Sequence, residues 1–356
     1  MSIDTSTHGS AVPKADGAPT AQRKRQLWDG TAPAEADYGF TEMARVNPSY
    51  RWWKPLLTFV LATVIYVLLV GLQAFLTAAL TGRQSSDLDR NTPAGAADLL
   101  LGVILMLPAL WLAARLVERR KLGTITSVAG HMRWKLLFVG LGLAALCIAL
   151  KQVYAVIEEP TMWEGAVFPG FTFLLVVFLM VPIQGATEEY VYRGFAMQAV
   201  GAWTRLPWLA LLVQILLFIS AHGQYESAGV LSVACTALIA GWLTIRTGGL
   251  EVGIAYHAVN NWVSFGSQSA MQTDGTDAGS QLLDAVPDIL TQLAFLVAVE
   301  VVGRRLGLFT AHSVFRRTPE RSREIVAADG SAEAGGAAAS AEAAAARLAG
   351  TAGRGA

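Results

Sequence analysis

Long apolar runs alternate with short polar loops through most of the chain. Each run approaches the roughly 20 residues that an α-helix needs to cross the hydrocarbon core of a bilayer. Backbone polar groups at that depth find no water and must bond within their own segment, which predicts helices. The pattern predicts eight spans, with the C-terminal end of the fourth left open, at residues 56–80, 98–117, 136–156, 168–187, 207–223, 228–247, 250–266 and 284–303.

The two ends of the chain lack this pattern. Residues 1–50 are polar and carry Pro, Gly, Ser and Ala, and residues 306–356 are first basic and then rich in Ala and Gly. Such compositions bury too little apolar surface to form a core. The sequence therefore predicts a disordered cytoplasmic tail at 1–50, a transmembrane domain at 51–305 and a second disordered tail at 306–356.

Positive charge falls in every second loop. The other loops, at 83–90, 158–164 and 274–277, are acidic or mixed. Because Lys and Arg accumulate in cytoplasmic loops, this alternation predicts that both termini are cytoplasmic. The basic loops carry Arg45, Arg51 and Lys54; Arg119, Arg120, Lys121, Arg133 and Lys135; Arg193 and Arg205; Arg246; and Arg304, Arg305, Arg316 and Arg317.

Composition agrees with a membrane protein. The 356 residues are 53% hydrophobic and 15% charged, whereas soluble domains carry about 25% charged residues. We expect an all-α, polytopic transmembrane helix bundle, multi-pass in the cell (plasma) membrane. Its net charge of zero gives no reason to expect a nucleic-acid partner, and oligomeric state is not predicted. Cys147 and Cys235 both lie in apolar segments and are interpreted as packing residues.

Three charges interrupt the apolar pattern at residues 188–194, EEYVYRG. A charged side chain at bilayer depth costs on the order of 3 kcal/mol, so it needs a partner or a wet cavity. Glu189 and Arg193 stand at i,i+4 and are predicted to pair. Neighbouring helical residues point about 100° apart, so Glu188 is predicted to face another direction and to be free to act. The alternative is a charged helix end at the membrane interface.

Two histidines lie in later apolar segments. His222 is the one strongly polar group in its run, and His257 shares a helix face with Asn261 at i,i+4, while Asn260 is predicted to point elsewhere. The alternative for each is a hydrogen bond between packed helices. Lys151, at the end of the third span, is interpreted as a lysine that reaches the interface and has no assigned role.

Taken together, four of these side chains could hydrolyse a peptide bond. Glu188 in a low-dielectric cavity suits a general base, and His222 can hold the attacking water. His257 and Asn261 can donate hydrogen bonds to a tetrahedral oxyanion. No serine stands in a GxSxG context, so a covalent nucleophile has less support.

These residues resemble the motifs of the CPBP intramembrane endopeptidases, which include the type II CAAX prenyl proteases and bacteriocin-processing or immunity proteins. The family pattern is EExxxR, then FxxxH, then HxxxN or HxxxD, on separate helices. It is matched here by residues 188–193, 218–222 and 257–261, flanked by Gly194 and by the GGL of residues 248–250. The resemblance covers about residues 168–265, which we take as the catalytic core.

The resemblance implies a membrane endopeptidase that acts on a membrane-associated or lipidated protein or peptide. It assigns the roles given above to Glu188, His222, His257 and Asn261, and supporting roles to Glu189 and Arg193. No cofactor is preferred. The alternative is a divalent metal, zinc, held by His222, His257 and Glu188, although HExxH is absent.

Two other functions stay open at this point. The charged residues could form the relay of a proton-coupled transporter, although the sequence shows no repeat symmetry. The scaffold could also serve a non-catalytic membrane immunity factor. A difficulty of depth also remains, because Glu188 would lie near the cytoplasmic end of its span and His222 far along the next one. A longer fourth span, kinked near Pro182, would remove it.

Overall fold

A computed structural model describes residues 38–273 and 280–309. Within these ranges the chain forms helices and no strand, and its β-type pairing is an isolated bridge between Ser127 and Gly249. The prediction of an all-α fold is confirmed.

Nine segments with α-helical residues follow one another along the described chain, besides the 3₁₀-helices at Phe40–Val46 and Ser85–Asp87. The second begins as two α-helical pieces and ends as a π-helix, the fifth contains a π-helical turn, and the ninth begins as a 3₁₀ turn. In chain order they are α1 (Lys54–Thr81), α2 (Pro93–Glu118), α3 (Leu122–Thr126), α4 (Trp134–Glu158), α5 (Phe171–Thr204), α6 (Pro207–Ser220), α7 (Ser227–Thr247), α8 (Glu251–Met271) and α9 (Leu282–Arg305).

Apart from the short α3, these helices stand where the eight spans are predicted. Six of them, α1, α2, α4, α5, α7 and α9, are long and apolar enough to cross a membrane. The apolar helix α6 has 14 residues, and α8 carries the polar side chains of the predicted site. The membrane character of the chain is therefore established, whereas eight spans and two cytoplasmic termini stay predictions.

Helix α5 is longer than the fourth predicted span. It runs for 34 residues, with Pro182 inside it and a π-helical turn at Tyr190–Ala196. At 1.5 Å per residue, Glu188 lies about 26 Å from the start of the helix rather than at its end. This length removes the difficulty of depth, because Glu188 can now lie level with residues in the middle of other spans.

Helix α8 lies at the centre of the bundle, between α4 and α5. Its Ile254 and Ala255 belong to one buried apolar cluster and Val252 and Tyr256 to another, so its first half is enclosed by apolar neighbours. A Cβ atom added to Gly140 of α4 would lie 2.9 Å from the Cβ of Ala255. Close packing of this kind fixes the position of α8, which carries His257 and Asn261.

The prediction of a disordered tail at residues 1–50 is wrong for the last part of that range. Phe40–Val46 form a 3₁₀-helix, and Phe40 and Met43 are buried in the same cluster as Ile254. The polar composition of the whole tail concealed this short apolar stretch, which packs against α5. Residues 1–37 and 310–356 lie outside the described residues, so disorder there stays a prediction.

Two further expectations concern single side chains. Arg193, counted as a loop charge, is instead fully buried within α5, because the helix continues beyond the predicted end of the span. The two cysteines are free, as their interpretation as packing residues requires: Cys147 is buried and Cys235 is partly buried.

Candidate active site

Helices α5 and α8 meet closely at Gly185 and His257. A Cβ atom added to Gly185 would lie 3.3 Å from Cγ of His257, so the imidazole rests against the backbone of α5. A larger residue at 185 would press on the ring. The glycine thus lets a side chain of α8 reach the two glutamates that follow in α5.

His257 lies between two carboxylates. Its Nδ1 is 3.0 Å from Oε1 of Glu189, and its Nε2 is 3.3 Å from Oε2 of Glu188. The prediction that the two glutamates face different sites is wrong. Adjacent residues do diverge on a helix, but an imidazole has nitrogens on two edges, and a ring inserted between the carboxylates contacts both.

Glu189 also pairs with Arg193, as the i,i+4 spacing predicts. Oε1 of Glu189 is 3.1 Å from Nη1 of Arg193, and both side chains are fully buried. The guanidinium lies over the Phe218 ring, with Cζ 4.1 Å from the ring centroid. Glu189 therefore connects Arg193 to His257 and holds the Nδ1 edge of the imidazole, which leaves the Nε2 edge toward Glu188.

Gln184 is a member of the site that the sequence analysis missed. Its Nε2 donates to Oε1 of Glu188 at 2.8 Å, and its Oε1 accepts a hydrogen bond from Nδ2 of Asn261 at 2.9 Å. One amide thereby links the proposed base to the proposed oxyanion donor. The i,i+4 spacing between Gln184 and Glu188 was a signal that could have identified it.

Asn261 donates to Gln184 and accepts from Asn260, and neither hydrogen bond involves the imidazole of its own helix. The group at Nδ1 of His257 is Glu189, so Asn261 has no part in fixing the tautomer there. Asn260, predicted to point elsewhere, donates to Oδ1 of Asn261 at 3.2 Å and lines the same cavity. That prediction is wrong, because the cavity is wide enough to border more than one face of α8.

His222 joins the site through Phe218. Its Nδ1 is 2.8 Å from the carbonyl oxygen of Phe218, and the two rings have centroids 4.4 Å apart. The same Phe218 ring lies 6.2 Å from the His257 ring, edge to face. Phe218 thus contacts Arg193 and both histidines, a role that the sequence analysis did not assign to it.

A cavity of about 730 Å³ joins the predicted catalytic residues. Glu188, His222, His257 and Asn261 all line it. Lys151 lines it as well, with Nζ 2.6 Å from Oδ1 of Asp288. The interpretation of Lys151 as a side chain that only reaches the membrane interface is therefore incomplete, because the side chain has a specific carboxylate partner at the cavity wall.

The described residues contain no group of three or more His, Cys, Asp or Glu side chains arranged to hold a metal ion. Both ring nitrogens of His257 face carboxylates, and Nδ1 of His222 faces a backbone carbonyl. Zinc held by Glu188, His222 and His257 stays the alternative to the metal-free mechanism.

Comparison with known proteins finds that these residues are similar to one family. Residues 169–263 match the family described as Type II CAAX prenyl endopeptidase Rce1-like. A Bacillus subtilis (strain 168) protein, described as uncharacterized protein YyaK, is 28% identical over 59% of this chain and 75% of its own length. An Escherichia coli protein, described as an uncharacterized 24.3 kDa protein, is 33% identical over 24% of this chain and 38% of its own. No solved structure gives a significant match.

The predicted family resemblance is confirmed, and the matched range agrees with the predicted limits of 168–265. This family supports a CAAX-type membrane endopeptidase and implies a membrane-anchored protein as its substrate. The roles of the individual side chains stay predictions.

Proposed function

We propose that the protein hydrolyses a peptide bond of a membrane-anchored protein, in the plasma membrane, with Glu188 as the general base. The observation that supports this most is the contact of Glu188 with His257 at the wall of a cavity that His222 and Asn261 also line. A buried carboxylate next to an imidazole and an amide can take a proton and stabilise an oxyanion in one place.

The proposed reaction has two steps. Glu188 takes a proton from a water held by His222, and the resulting hydroxide attacks the carbonyl carbon of the peptide bond. His257 and Asn261 donate hydrogen bonds to the oxyanion that forms. The C–N bond then breaks, and Glu188 returns its proton to the departing amine. Glu189 and Arg193 keep His257 oriented throughout.

Replacing Glu188 by Gln tests this function. We expect turnover to fall at least about 100-fold, because general-base catalysis contributes roughly 10² to 10⁴. The assay uses the purified full-length protein in detergent with a fluorogenic peptide ending in a CAAX sequence, with and without a prenyl group. The exposed Glu159, converted to Gln, is the matched control. A folded Glu188→Gln protein with unchanged turnover would contradict the proposal.

A chelator tests the preferred metal-free mechanism separately. If Glu188 alone activates water, turnover should persist after treatment with 1,10-phenanthroline and dialysis. Loss of turnover that is restored by added zinc would replace this mechanism by the metal-dependent alternative. Metal content measured on the same preparation shows whether the treatment removed any ion.

A further inference from the structure

The helix bundle has two chemically different ends. At one end, here called the basic end, α4 and α8 begin and α7 and α9 finish, joined by the bonds of Arg133 to Glu251 and of Arg246 to Glu300. At the other, here called the mouth end, lie the loops at 82–92, 159–170 and 221–226, together with residues 272–273 and 280–281. Contacts such as Val167 N to Ala270 O and Asn91 Nδ2 to Thr273 O hold these loops together.

Basic residues concentrate at the first of these ends. The described mouth-end loops carry Arg83 and Arg90, together with several acidic side chains. Since Lys and Arg mark the cytoplasmic side, this distribution predicts that the mouth end is the extracytoplasmic end. The basic end carries Arg45, Arg51, Lys54, Arg119, Arg120, Lys121, Arg133, Lys135, Arg205, Arg246, Arg304 and Arg305.

The catalytic cavity opens toward the mouth end. Its walls include residues of three loops there, namely Arg90, Gln224 and Ser280. No residue of the described basic-end loops lines it. Water and substrate at Glu188 therefore come from the side that the charge pattern assigns to the exterior.

A polar stripe on α8 leads from the catalytic residues to this opening. His257, Asn261, Ser264 and Gln268 recur at i, i+4, i+7 and i+11, and all four line the cavity. The stripe covers about 16 Å at 1.5 Å per residue. An extended peptide advances about 3.3 Å per residue, so roughly five residues fit along it.

We propose that the substrate enters from the extracytoplasmic face as an extended peptide segment that lies along the polar stripe of α8. This inference rests on the proposed function for the nature of the bound chain. A peptide backbone taken out of water needs a donor and an acceptor at each residue. Asn, Ser and Gln side chains supply both, and they do not select one sequence. The substrate class is thus an anchored protein whose cleaved segment is exposed outside the cytoplasm.

Cysteine labelling in intact cells tests the direction of entry. Cys147 and Cys235 are first replaced by Ala, and single cysteines are then placed at exposed Gln224 of the mouth end and exposed Lys121 of the basic end. A membrane-impermeant maleimide applied to spheroplasts should label Gln224→Cys and leave Lys121→Cys unlabelled until lysis. Gln84→Cys provides a second mouth-end position if the first variant folds poorly. Labelling of the mouth-end cysteines only after lysis would overturn the proposal.

Kinetics test the path along α8. Ser264→Ala combined with Gln268→Ala should raise KM about 30-fold while kcat changes little, because two hydrogen bonds of about 1 kcal/mol each are lost from substrate binding. Ser267→Ala is the matched control, since this serine of the same helix does not line the cavity. An unchanged KM in the double variant would overturn the path.

These experiments separate this inference from the proposed function. Labelling requires no turnover, so an inactive protein still reports which face the cavity meets. If Glu188→Gln abolishes cleavage but the mouth-end cysteines react only after lysis, the protease function stands and extracytoplasmic entry fails.

Discussion

Two glutamates, one at the start of α8 and one in contact with it, differ in how their carboxylates are bonded. Glu251, at the start of α8, receives Nε and Nη2 of Arg133 at 2.8 and 2.7 Å, one on each oxygen. Glu188, in the middle of α5, receives an amide of Gln184 on one oxygen and turns the other toward His257 and the cavity. A carboxylate with both oxygens bonded is held in place, whereas one that borders a cavity can exchange a proton.

The same contrast divides α8 along its length. Its first turn is fixed by Arg133 and by the hydrogen bond from Leu250 N to Thr126 O, next to the Ser127–Gly249 bridge. Its second half borders the cavity with amides and hydroxyls. We call the first turn of α8 its closed half and the part that borders the cavity its open half, and we infer that the closed half holds the open half in position. Substitutions in the closed half should therefore lower stability, and substitutions in the open half should lower turnover with little change in stability.

The largest effect is expected at the closed half. Arg133→Met leaves the fully buried Glu251 carboxylate without its partner, and breaking a buried pair in this way costs about 3–5 kcal/mol. The midpoint of thermal unfolding in detergent should fall, and turnover should fall with it because α8 loses its anchor. Arg304→Met is the control: Arg304 is 67% exposed, Glu300 keeps its pair with Arg246, and exposed pairs contribute about 0–1 kcal/mol. Equal unfolding midpoints for the two variants would refute the anchoring role.

The next effect is expected at the open half. Asn261→Ala removes a proposed oxyanion donor, and the loss of such a donor lowers kcat about 10²- to 10³-fold. Asn261 is partly buried beside the cavity, so the unfolding midpoint should change far less than in Arg133→Met. Single-turnover rates of the purified variant measure the chemical step directly. A rise in KM with unchanged kcat would instead assign Asn261 to substrate binding.

Much of this architecture could be predicted from the sequence because each signal was local. Apolar runs gave the positions of the helices, and the i,i+4 spacing gave the Glu189–Arg193 pair. What failed depended on packing between helices. The insertion of His257 between Glu188 and Glu189 needs Gly185 opposite the ring, a close approach that spacing along one helix does not reveal.

The apolar pattern did not give the full extent of α5, which was expected only as the longer fourth span that would remove the depth difficulty. Charges such as those at residues 188–193 normally end a membrane span. Here the helix continues past them because His257, Gln184 and the Phe218 ring contact the charged side chains. Gln184 was missed although its i,i+4 spacing to Glu188 is local, and Phe218 received no role because its contacts with Arg193 and His257 come from other helices. The 3₁₀-helix at Phe40–Val46 was missed because its apolar residues sit in a polar stretch.

The smallest effect is expected at the mouth end of the cavity, at Lys151. Its Nζ bonds Oδ1 of Asp288 at 2.6 Å, and Oδ2 of Asp288 accepts from Ser232 at 3.1 Å. Both charged side chains are partly exposed, at 21% and 40%, so Lys151→Met should cost less than about 1 kcal/mol of stability.

Asp288 would then be an unpaired negative charge at the entrance, which should weaken binding of acidic peptides more than neutral ones at low ionic strength. KM for an acidic and a neutral fluorogenic peptide, compared in low and high salt, measures this. The same KM ratio in wild type and Lys151→Met would mean that substrate does not pass this pair on its way to Glu188.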